Sequence, residues 1–363
     1  MPDDILGYRF SPFAPGHDAR GYRNDDARAE CDILAVGDST TYGYGVRSEE
    51  AWPALVETAA STSVYNAGIG GYGPCEYSAV IDELMHLNPD TVIVGVLLGN
   101  DLANTYRSVY IEGRFPEMRS RDESVLAAIR AEHAKRPLEA TFEVTNETQT
   151  DTASPLRRLL AEQSSLYGAT RTLCSRIMAE RDSNPIPSGP WRDSFEKASR
   201  RPYRVSWSAL PEFRTVFVPP QHNFLATDLS DPRIQEGMRI TKAVLRNLKV
   251  TLDNRGVRLL IVMIPDKRTV YAPVMQRHSE LSTNFQRCVR LAEEANKELV
   301  GFLTEHNIEF IDATASLQAT FDTGVTPYFE SDDGHANVLG NSVIADLILP
   351  LLTNLSQASE TNP

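Results

Sequence analysis

Four polar residues, each in a predicted loop, could together carry out nucleophilic catalysis: Ser39, Asn100, Asp332 and His335. A serine hydroxyl becomes nucleophilic when a histidine takes its proton, and a carboxylate can hold that histidine in the correct tautomer. Asp332 precedes His335 by three residues, so one short turn can bring the carboxylate to the ring. Asp333 lies in the same turn and is a rival for this role, but spacing favours Asp332.

The segments before these residues explain how they could meet. Apolar runs at 33–36 and 91–98 predict buried strands, and a glycine and polar residues follow each run. Parallel strands place their carboxyl ends at one edge of a sheet, so distant parts of the chain converge there. Strand and helix alternate along the sequence, which predicts an α/β fold with a doubly wound, mostly parallel sheet. The other main elements are predicted as strands at 63–66, 257–264 and 308–312 and helices at 74–87, 233–254, 284–306 and 339–352.

The middle of the chain differs in character from both ends. Helix-like stretches at 121–135 and 155–180 are joined by polar and Pro-rich segments, which predicts a largely helical insertion. A connection of this length is usually functional, so the insertion could form a lid or a partner surface. The predicted segments are an irregular arm at 1–31, a core in two parts at 32–104 and 231–355, the insertion at 105–230 and a polar tail at 356–363.

Composition restricts the partners that this chain can have. The formal net charge of −13 argues against nucleic acid or an anionic membrane as the main partner. The first residues lack the pattern of a secretory signal, and no apolar run approaches the length of a membrane span, so we expect a cytoplasmic protein. The four cysteines form no C-x-x-C pair, and we expect neither a metal nor an organic cofactor.

Each of these features alone has an ordinary structural explanation. Serine or aspartate at a corner usually caps a helix, and an isolated asparagine after a strand is usually a turn residue. The Gly-rich loop at 68–73 has the spacing Gly68-x-Gly70-x-x-Gly73 and could bind phosphate, but the acidic partner downstream that a dinucleotide site needs is not recognised, so a dinucleotide site is not expected. Residues 265–268 could line the crevice or form a solvated turn, and Asp38 and Asp101 are expected to brace their corners by hydrogen bonds.

Four short blocks occur in a fixed order along the chain, and together they are far more specific than any one of them. They are Gly37-Asp38-Ser39, Asn66-x-Gly68-x-x-Gly71, Gly99-Asn100-Asp101 and Asp332-x-x-His335. This arrangement resembles the SGNH, or GDSL, hydrolase superfamily over residues 32–104 and 232–352. The expected architecture is a flavodoxin-like, three-layer α/β/α fold. Thr40 stands where the name-giving pattern has leucine, a position that supports packing more than chemistry.

The resemblance implies a role for each residue of the blocks. Ser39 would be the nucleophile, His335 the general base and then acid, and Asp332 the carboxylate that holds His335. The backbone N–H groups of Ser39 and Gly71, with the side-chain amide of Asn100, would form the oxyanion hole. Losing one such donor typically costs on the order of 3 kcal/mol of transition-state stabilisation.

The implied reaction is cleavage of a carboxylic ester through an acyl-enzyme on the serine. A small acyl group, such as acetyl on a sugar or another small molecule, fits this family by analogy. Two alternatives stay open: O-acyl transfer from the same acyl-enzyme to an acceptor hydroxyl, and a non-catalytic binding protein on the same fold. Intact Ser39, Asn100 and His335 count against the second.

Overall fold

A five-stranded sheet is the centre of the fold, and all of its strands are parallel. The computed structural model describes residues 1–135, 206–209, 214–217, 226–278, 281, 283–330 and 333–359. The strands of this sheet are β1 (Ile33–Gly37), β2 (Val64–Asn66), β3 (Thr91–Val96), β4 (Arg258–Met263) and β5 (Glu309–Asp312). Their spatial order is β2-β1-β3-β4-β5. This is the flavodoxin-like order, in which the direction of winding reverses between β1 and β3.

The sheet is buried on both faces because its strands are almost wholly apolar. Along β1, Leu34 and Val36 face one core cluster, whereas Ile33 and Ala35 face the other. Successive side chains of a strand point to opposite faces, so one apolar run serves two layers of helices. The predicted three-layer α/β/α architecture with a parallel sheet is confirmed.

Ten α-helices lie in the described residues. They are α1 (Ser39–Tyr42), α2 (Trp52–Ala60), α3 (Pro74–Leu84), α4 (Asp101–Tyr106), α5 (Glu123–Lys135), α6 (Pro232–Asp253), α7 (Lys267–His278), α8 (Thr283–Glu305), α9 (Thr314–Asp322) and α10 (Val338–Ser359). On one face of the sheet pack α3, α4 and α6, and on the other α2, α7, α9 and α10. The predicted helices were close to these bounds, except that α10 continues seven residues past the predicted end at 352. Helices α1, α4, α7 and α9 had not been predicted. α7 contains Pro273, which ordinarily interrupts a helical pattern.

Part of the predicted insertion is described. The helix expected at 121–135 is confirmed as α5, but the one expected at 155–180 lies outside the described residues. An antiparallel hairpin, Ser206–Ala209 with Arg214–Phe217, occurs in the segment that was predicted to be largely helical. Phe217 is buried against Phe285 of α8, at 5.1 Å between ring centroids. The role of the insertion as a lid or partner surface stays a prediction.

The amino-terminal arm lies on the corner that follows β1. Arg23 donates hydrogen bonds to the carbonyl oxygens of Tyr42, Gly43 and Val46 at 2.5 to 3.0 Å. Phe10 stacks on the Tyr42 ring with centroids 5.6 Å apart. The arm therefore holds the end of α1 in place. None of the helices in the described parts of the chain is long and apolar enough to cross a membrane.

Candidate active site

Ser39 stands at the point where the central strand β1 ends and the one-turn helix α1 begins. Asp38 caps this turn: its Oδ1 accepts hydrogen bonds from the backbone N–H of Thr40 at 2.8 Å and from the Thr40 hydroxyl at 2.6 Å. Asp38 is fully buried, whereas Ser39 is half-buried at the carboxyl edge of the sheet. The cap fixes the direction in which the serine hydroxyl leaves the sheet.

His335 lies beside this hydroxyl although 296 positions separate the two residues. Its Nε2 is 2.8 Å from the Oγ of Ser39, and its Nδ1 is 2.6 Å from Oδ1 of Asp333. A carboxylate can only accept, so Nδ1 carries the hydrogen and Nε2 presents its lone pair to the serine. A general base that activates a hydroxyl group needs this arrangement.

Asp333 is the carboxylate that contacts the imidazole. The same Oδ1 also accepts the backbone N–H of His335 at 2.9 Å. Burial by itself raises the pKa of Asp333, but the hydrogen bonds from His335 and the positive charge of Lys267 outweigh it, so the pKa lies below its ordinary value. The group is therefore ionised at neutral pH. Asp332, which spacing favours for this role, lies outside the described residues, and its assignment stays a prediction.

The Gly-rich loop after β2 runs directly beside the serine. Asn66 braces this loop, because its side chain donates to the carbonyl oxygen of Thr41 at 3.1 Å and accepts the N–H of Gly68 at 3.0 Å. A Cβ atom added to Gly70 would lie 3.4 Å from Cβ of Ser39. The loop is thus close enough to share a substrate with the serine.

Two backbone N–H groups at this corner are open to an acceptor. Gly71 has a φ of +78°, a conformation that residues with a Cβ rarely adopt, and it turns the loop at this point. Within the described residues, no acceptor contacts the N–H of Ser39 or that of Gly71. Both can therefore donate to a bound molecule.

Asn100 lies in the turn after the neighbouring strand β3, at the N-cap of α4. Its Nδ2 donates to Oδ2 of Asp38 at 2.9 Å, so the first and third sequence blocks are joined by a hydrogen bond. An amide nitrogen has two hydrogens, and this bond uses one of them. Oδ1 of Asn100 is buried and has no partner among the described residues. The bond fixes the amide plane and leaves the second hydrogen for another acceptor.

Asp101 is fully buried behind this asparagine and braces the corner, as expected. It accepts the hydroxyl of Tyr77 at 2.7 Å and the backbone N–H of Leu97 at 2.9 Å. Burial, reinforced by the neighbouring Asp38 carboxylate, raises the pKa of Asp101 well above its ordinary range. The residue supports the turn and has no access to a substrate.

The carboxyl-terminal part of the chain matches a known family. Residues 221–362 fit the family described as "SGNH hydrolase-like domain, acetyltransferase AlgX". This segment is similar to an SGNH hydrolase-like domain, and it contains His335 but neither Ser39 nor Asn100. The predicted membership of the SGNH/GDSL-type hydrolase superfamily is confirmed, and it supports an enzyme of the hydrolase or acyl-transfer kind. No curated protein sequence matches the chain.

Several solved structures of low sequence identity resemble the chain. A GDSL-like lipase from Bacteroides thetaiotaomicron is 7% identical with a TM-score of 0.37, and the match covers 89% of this chain and 88% of the lipase. A member of the lipolytic G-D-S-L family from Veillonella parvula is 11% identical with a TM-score of 0.35, covering 88% and 97%. An acetyl-xylooligosaccharide esterase from Geobacillus stearothermophilus is 12% identical with a TM-score of 0.38, covering 89% and 94%.

Two residues near the candidate site were not assigned from the sequence. Lys267 belongs to the turn expected either to line the crevice or to be solvated, but it is buried, and its Nζ donates to the carbonyl oxygen of Phe329 at 2.5 Å. The exposed ring of Tyr44 packs against the imidazole of His335, with centroids 4.7 Å apart. The position of Lys267 just after a predicted strand could have placed it at the carboxyl edge of the sheet. Nothing in the sequence around Tyr44 indicated its contact with His335.

Proposed function

We propose that this chain is a serine enzyme that cleaves carboxylic esters through an acyl-enzyme on Ser39. The observation that supports this most strongly is the continuous chain of short contacts from Ser39 through His335 to Asp333, at 2.8 and 2.6 Å. In the first contact the Ser39 hydroxyl faces the lone pair of Nε2, and in the second the Nδ1 hydrogen of His335 faces the Asp333 carboxylate, as nucleophilic catalysis by serine requires. The superfamily adds independent support for a hydrolase or acyl-transfer enzyme.

In the proposed first step, Oγ of Ser39 bonds to the carbonyl carbon of the ester while its proton passes to Nε2 of His335. The carbonyl electron pair moves onto oxygen and gives a tetrahedral oxyanion. When that pair returns, the bond to the alcohol breaks, and the proton on Nε2 passes to the leaving oxygen. Water then attacks the acyl-serine by the same route and releases the acid. Asp333 stabilises the imidazolium that forms in both steps.

The oxyanion is expected to lie between the N–H groups of Ser39 and Gly71 and the amide of Asn100. All three donors border the same corner, and each has a hydrogen that the described residues leave available. Charge develops on this oxygen only in the transition state, so donors fixed in advance lower the barrier more than they strengthen ground-state binding.

The proposed substrate is a small-molecule or carbohydrate ester with a short acyl group such as acetyl. Acyl transfer is a second candidate, because the matching family model is named for an acetyltransferase. Transfer and hydrolysis use the same catalytic groups and differ only in the acceptor. Adding sugar alcohols to a p-nitrophenyl acetate assay separates them: a transferase forms acetylated acceptor faster than it releases acetate.

The test of the nucleophile compares wild type with Ser39→Ala in p-nitrophenyl acetate hydrolysis and in intact-mass spectra after treatment with a fluorophosphonate. Ser48→Ala is the matched control, because Ser48 is also half-buried and its hydroxyl donates to Glu49 at 3.3 Å, with no contact to the candidate site among the described residues. We expect one adduct on wild type and on Ser48→Ala, and none on Ser39→Ala. Full activity of Ser39→Ala would refute the mechanism. Absence of turnover and adduct in wild type would favour the non-catalytic binding protein.

A further inference from the structure

A cavity of about 330 Å³ opens at the carboxyl edge of the sheet, to one side of the catalytic residues. Its walls come from the ends of three neighbouring strands: Gly99 follows β3, Asp266 follows β4, and Asp312 closes β5. Helix α8 contributes a fourth wall through Ala292 and Val300. Neither Ser39 nor His335 lines this space, which we call the side cavity.

The side cavity shares two walls with the catalytic site. Gly99 lies in its wall, and the next residue is Asn100, whose amide faces the serine corner. Asp266 lines the cavity, and the next residue, Lys267, is bonded to Phe329 in the loop that leads to the catalytic histidine. In each of these two walls, one residue lines the side cavity (Gly99 or Asp266) and the next residue along the chain contacts the catalytic site (Asn100 or Lys267).

Strand spacing gives the distance between the two places. Neighbouring strands lie about 4.8 Å apart, so the ends of β3, β4 and β5 are about 5, 10 and 14 Å from the end of β1 along the edge. An acetyl group bound at Ser39 cannot reach across that distance. A molecule with several linked rings can.

The polar lining is rich in acceptors for hydroxyl groups. Oδ2 of Asp312 accepts the side-chain amide of Asn296 at 2.7 Å, and Oδ1 accepts the backbone N–H of Thr314 at 2.9 Å. These bonds hold the carboxylate in place, and each oxygen keeps a further lone pair. Asp266 is held similarly, because its Oδ1 accepts the N–H of Thr269 at 3.0 Å.

Charge and shape narrow the class of ligand. Three carboxylates line the cavity, those of Asp266, Asp312 and Glu293, against the single ammonium group of Lys297. The guanidinium of Arg268, outside the lining, lies 3.5 Å from Asp266 and offsets part of its charge, so the lining stays acidic but less so than the carboxylates alone suggest. Such a lining repels anions, and covering fixed carboxylates with a long acyl chain would be costly. Apolar side chains complete the walls, and the partly accessible ones, Leu98, Ile264 and Val300, offer a surface for the C–H face of a ring.

We propose that the side cavity is a binding subsite for a neutral oligosaccharide whose acylated sugar unit lies at Ser39. The proposal rests on the esterase or acyl-transfer function proposed above, and it assigns that site a polymeric, uncharged carbohydrate. Sugar hydroxyls donate to the fixed carboxylates, and the ring packs on the apolar wall. The enzyme then distinguishes a sugar chain from a simple acetate ester by contacts remote from the reacting bond.

The test fills the side cavity without touching the catalytic residues. Ala292→Trp places a large ring in the space from α8, and Glu294→Trp, on the exposed side of the same helix, is the matched control. Substrates are p-nitrophenyl acetate and O-acetylated xylo-, manno- and cello-oligosaccharides. For the best oligosaccharide, we expect Ala292→Trp to lower kcat/KM about tenfold or more, mainly through KM, and to change p-nitrophenyl acetate turnover less than about twofold. Glu293→Gln, at the exposed rim, should lower the oligosaccharide value about threefold with no risk to folding.

Three results would overturn the subsite. One is an equal effect of Ala292→Trp on both substrate types, or no effect on either. Another is a preference of wild type for acetylated oligo-uronates over neutral chains. The third is failure of every deacetylated neutral oligosaccharide to perturb the NMR spectrum of Ser39→Ala at about 10 mM, a concentration that detects even weak binding. The NMR measurement needs no turnover, so it tests the subsite independently of catalysis. Failure of the proposed catalysis would instead appear as absence of the fluorophosphonate adduct on Ser39.

Discussion

Replacing Asp333 with asparagine should slow the reaction far less than replacing it with alanine. The reason is that one oxygen, Oδ1, accepts both the Nδ1 hydrogen of His335 at 2.6 Å and the backbone hydrogen of the same residue at 2.9 Å. An asparagine that presents its carbonyl oxygen at this point keeps both bonds, and with them the tautomer that aims Nε2 at Ser39. What it loses is the negative charge opposite the imidazolium.

The size of each effect follows from the bonds that remain. A hydrogen bond to a charged group contributes about 1.5–3 kcal/mol and a neutral one about 0.5–1.5 kcal/mol, so asparagine should cost about 1–1.5 kcal/mol, or about 5- to 15-fold in kcat. Alanine removes the bond, the charge and control of the tautomer together. Loss of the triad aspartate of a serine protease costs about 3 × 10⁴-fold in kcat. Asparagine costs about 10⁴-fold where its amide imposes the wrong tautomer, so the small loss expected here requires that the asparagine oxygen faces His335.

The assay is kcat for p-nitrophenyl acetate, measured for Asp333→Asn, Asp333→Ala and Asp332→Ala, with thermal unfolding as a check on folding. We expect Asp332→Ala to stay within about threefold of wild type, because the contact to His335 is made by Asp333. If Asp332→Ala loses a thousandfold while Asp333→Ala stays active, the assignment is wrong and the sequence spacing was the better guide. Equal losses for Asp333→Asn and Asp333→Ala would refute the single-oxygen argument.

Three further variants test other parts of the site. Asn100→Ala should lower kcat about 10²- to 10³-fold through loss of an oxyanion donor while the fluorophosphonate adduct on Ser39 still forms; an unchanged kcat would exclude this role. Asp101→Asn should become more stable relative to wild type as pH rises from 5 to 8. A carboxyl group whose pKa is raised in the folded state stabilises the fold most below its unfolded pKa of 3.8, and it loses this contribution as pH rises toward the folded pKa. Urea titrations measure the free energy of unfolding of both proteins, and an equal change with pH in the two would contradict this. Lys267→Met should destabilise the fold by about 1–3 kcal/mol. The pKa of Asp333 is lowered in the folded state, so its carboxylate stabilises the fold above pH 3.8, and this stabilisation is lost as pH falls through the folded pKa. Without the charge of Lys267, the loss should begin at higher pH in acid-unfolding curves. If the acid-unfolding curve of Lys267→Met does not move, Lys267 does not act on the pKa of Asp333.

The parts of the fold that were predictable are those with a single explanation in the sequence. An apolar run such as 33–36, followed by glycine and a polar corner, fits little other than a central parallel strand. α7 was not predicted because Pro265 and Pro273 bracket its first half, and packing on the sheet overrides the usual effect of proline. The antiparallel pair of Ser206–Ala209 with Arg214–Phe217 is short, and Phe217 packs on Phe285, a contact across the fold that no local pattern encodes.

The candidate site likewise has a part that the sequence predicts and a part that it does not. Convergence of Ser39, Asn100 and His335 follows from parallel strands sharing one edge, so their proximity could be predicted from the order of the blocks. The choice between Asp332 and Asp333 depends on backbone angles within one turn, and residue spacing does not fix those angles. Contacts across the fold, such as Tyr44 on His335, depend on side-chain packing and leave no trace in the sequence.

The docking of the last helix on the first half of the fold has a consequence for biosynthesis. The backbone N–H of Trp52, at the start of α2, donates to the side chain of Asn341 in α10 at 3.0 Å, and the amide of Asn341 donates to the carbonyl oxygen of Ala336, the residue after His335. A ribosome makes Ser39, the proposed nucleophile, 296 residues before His335, the proposed base, and chains begin to fold from the amino end during synthesis. Under the proposed mechanism, Ser39 of a nascent chain therefore lacks its base until His335 has been made and α10 has docked on α2.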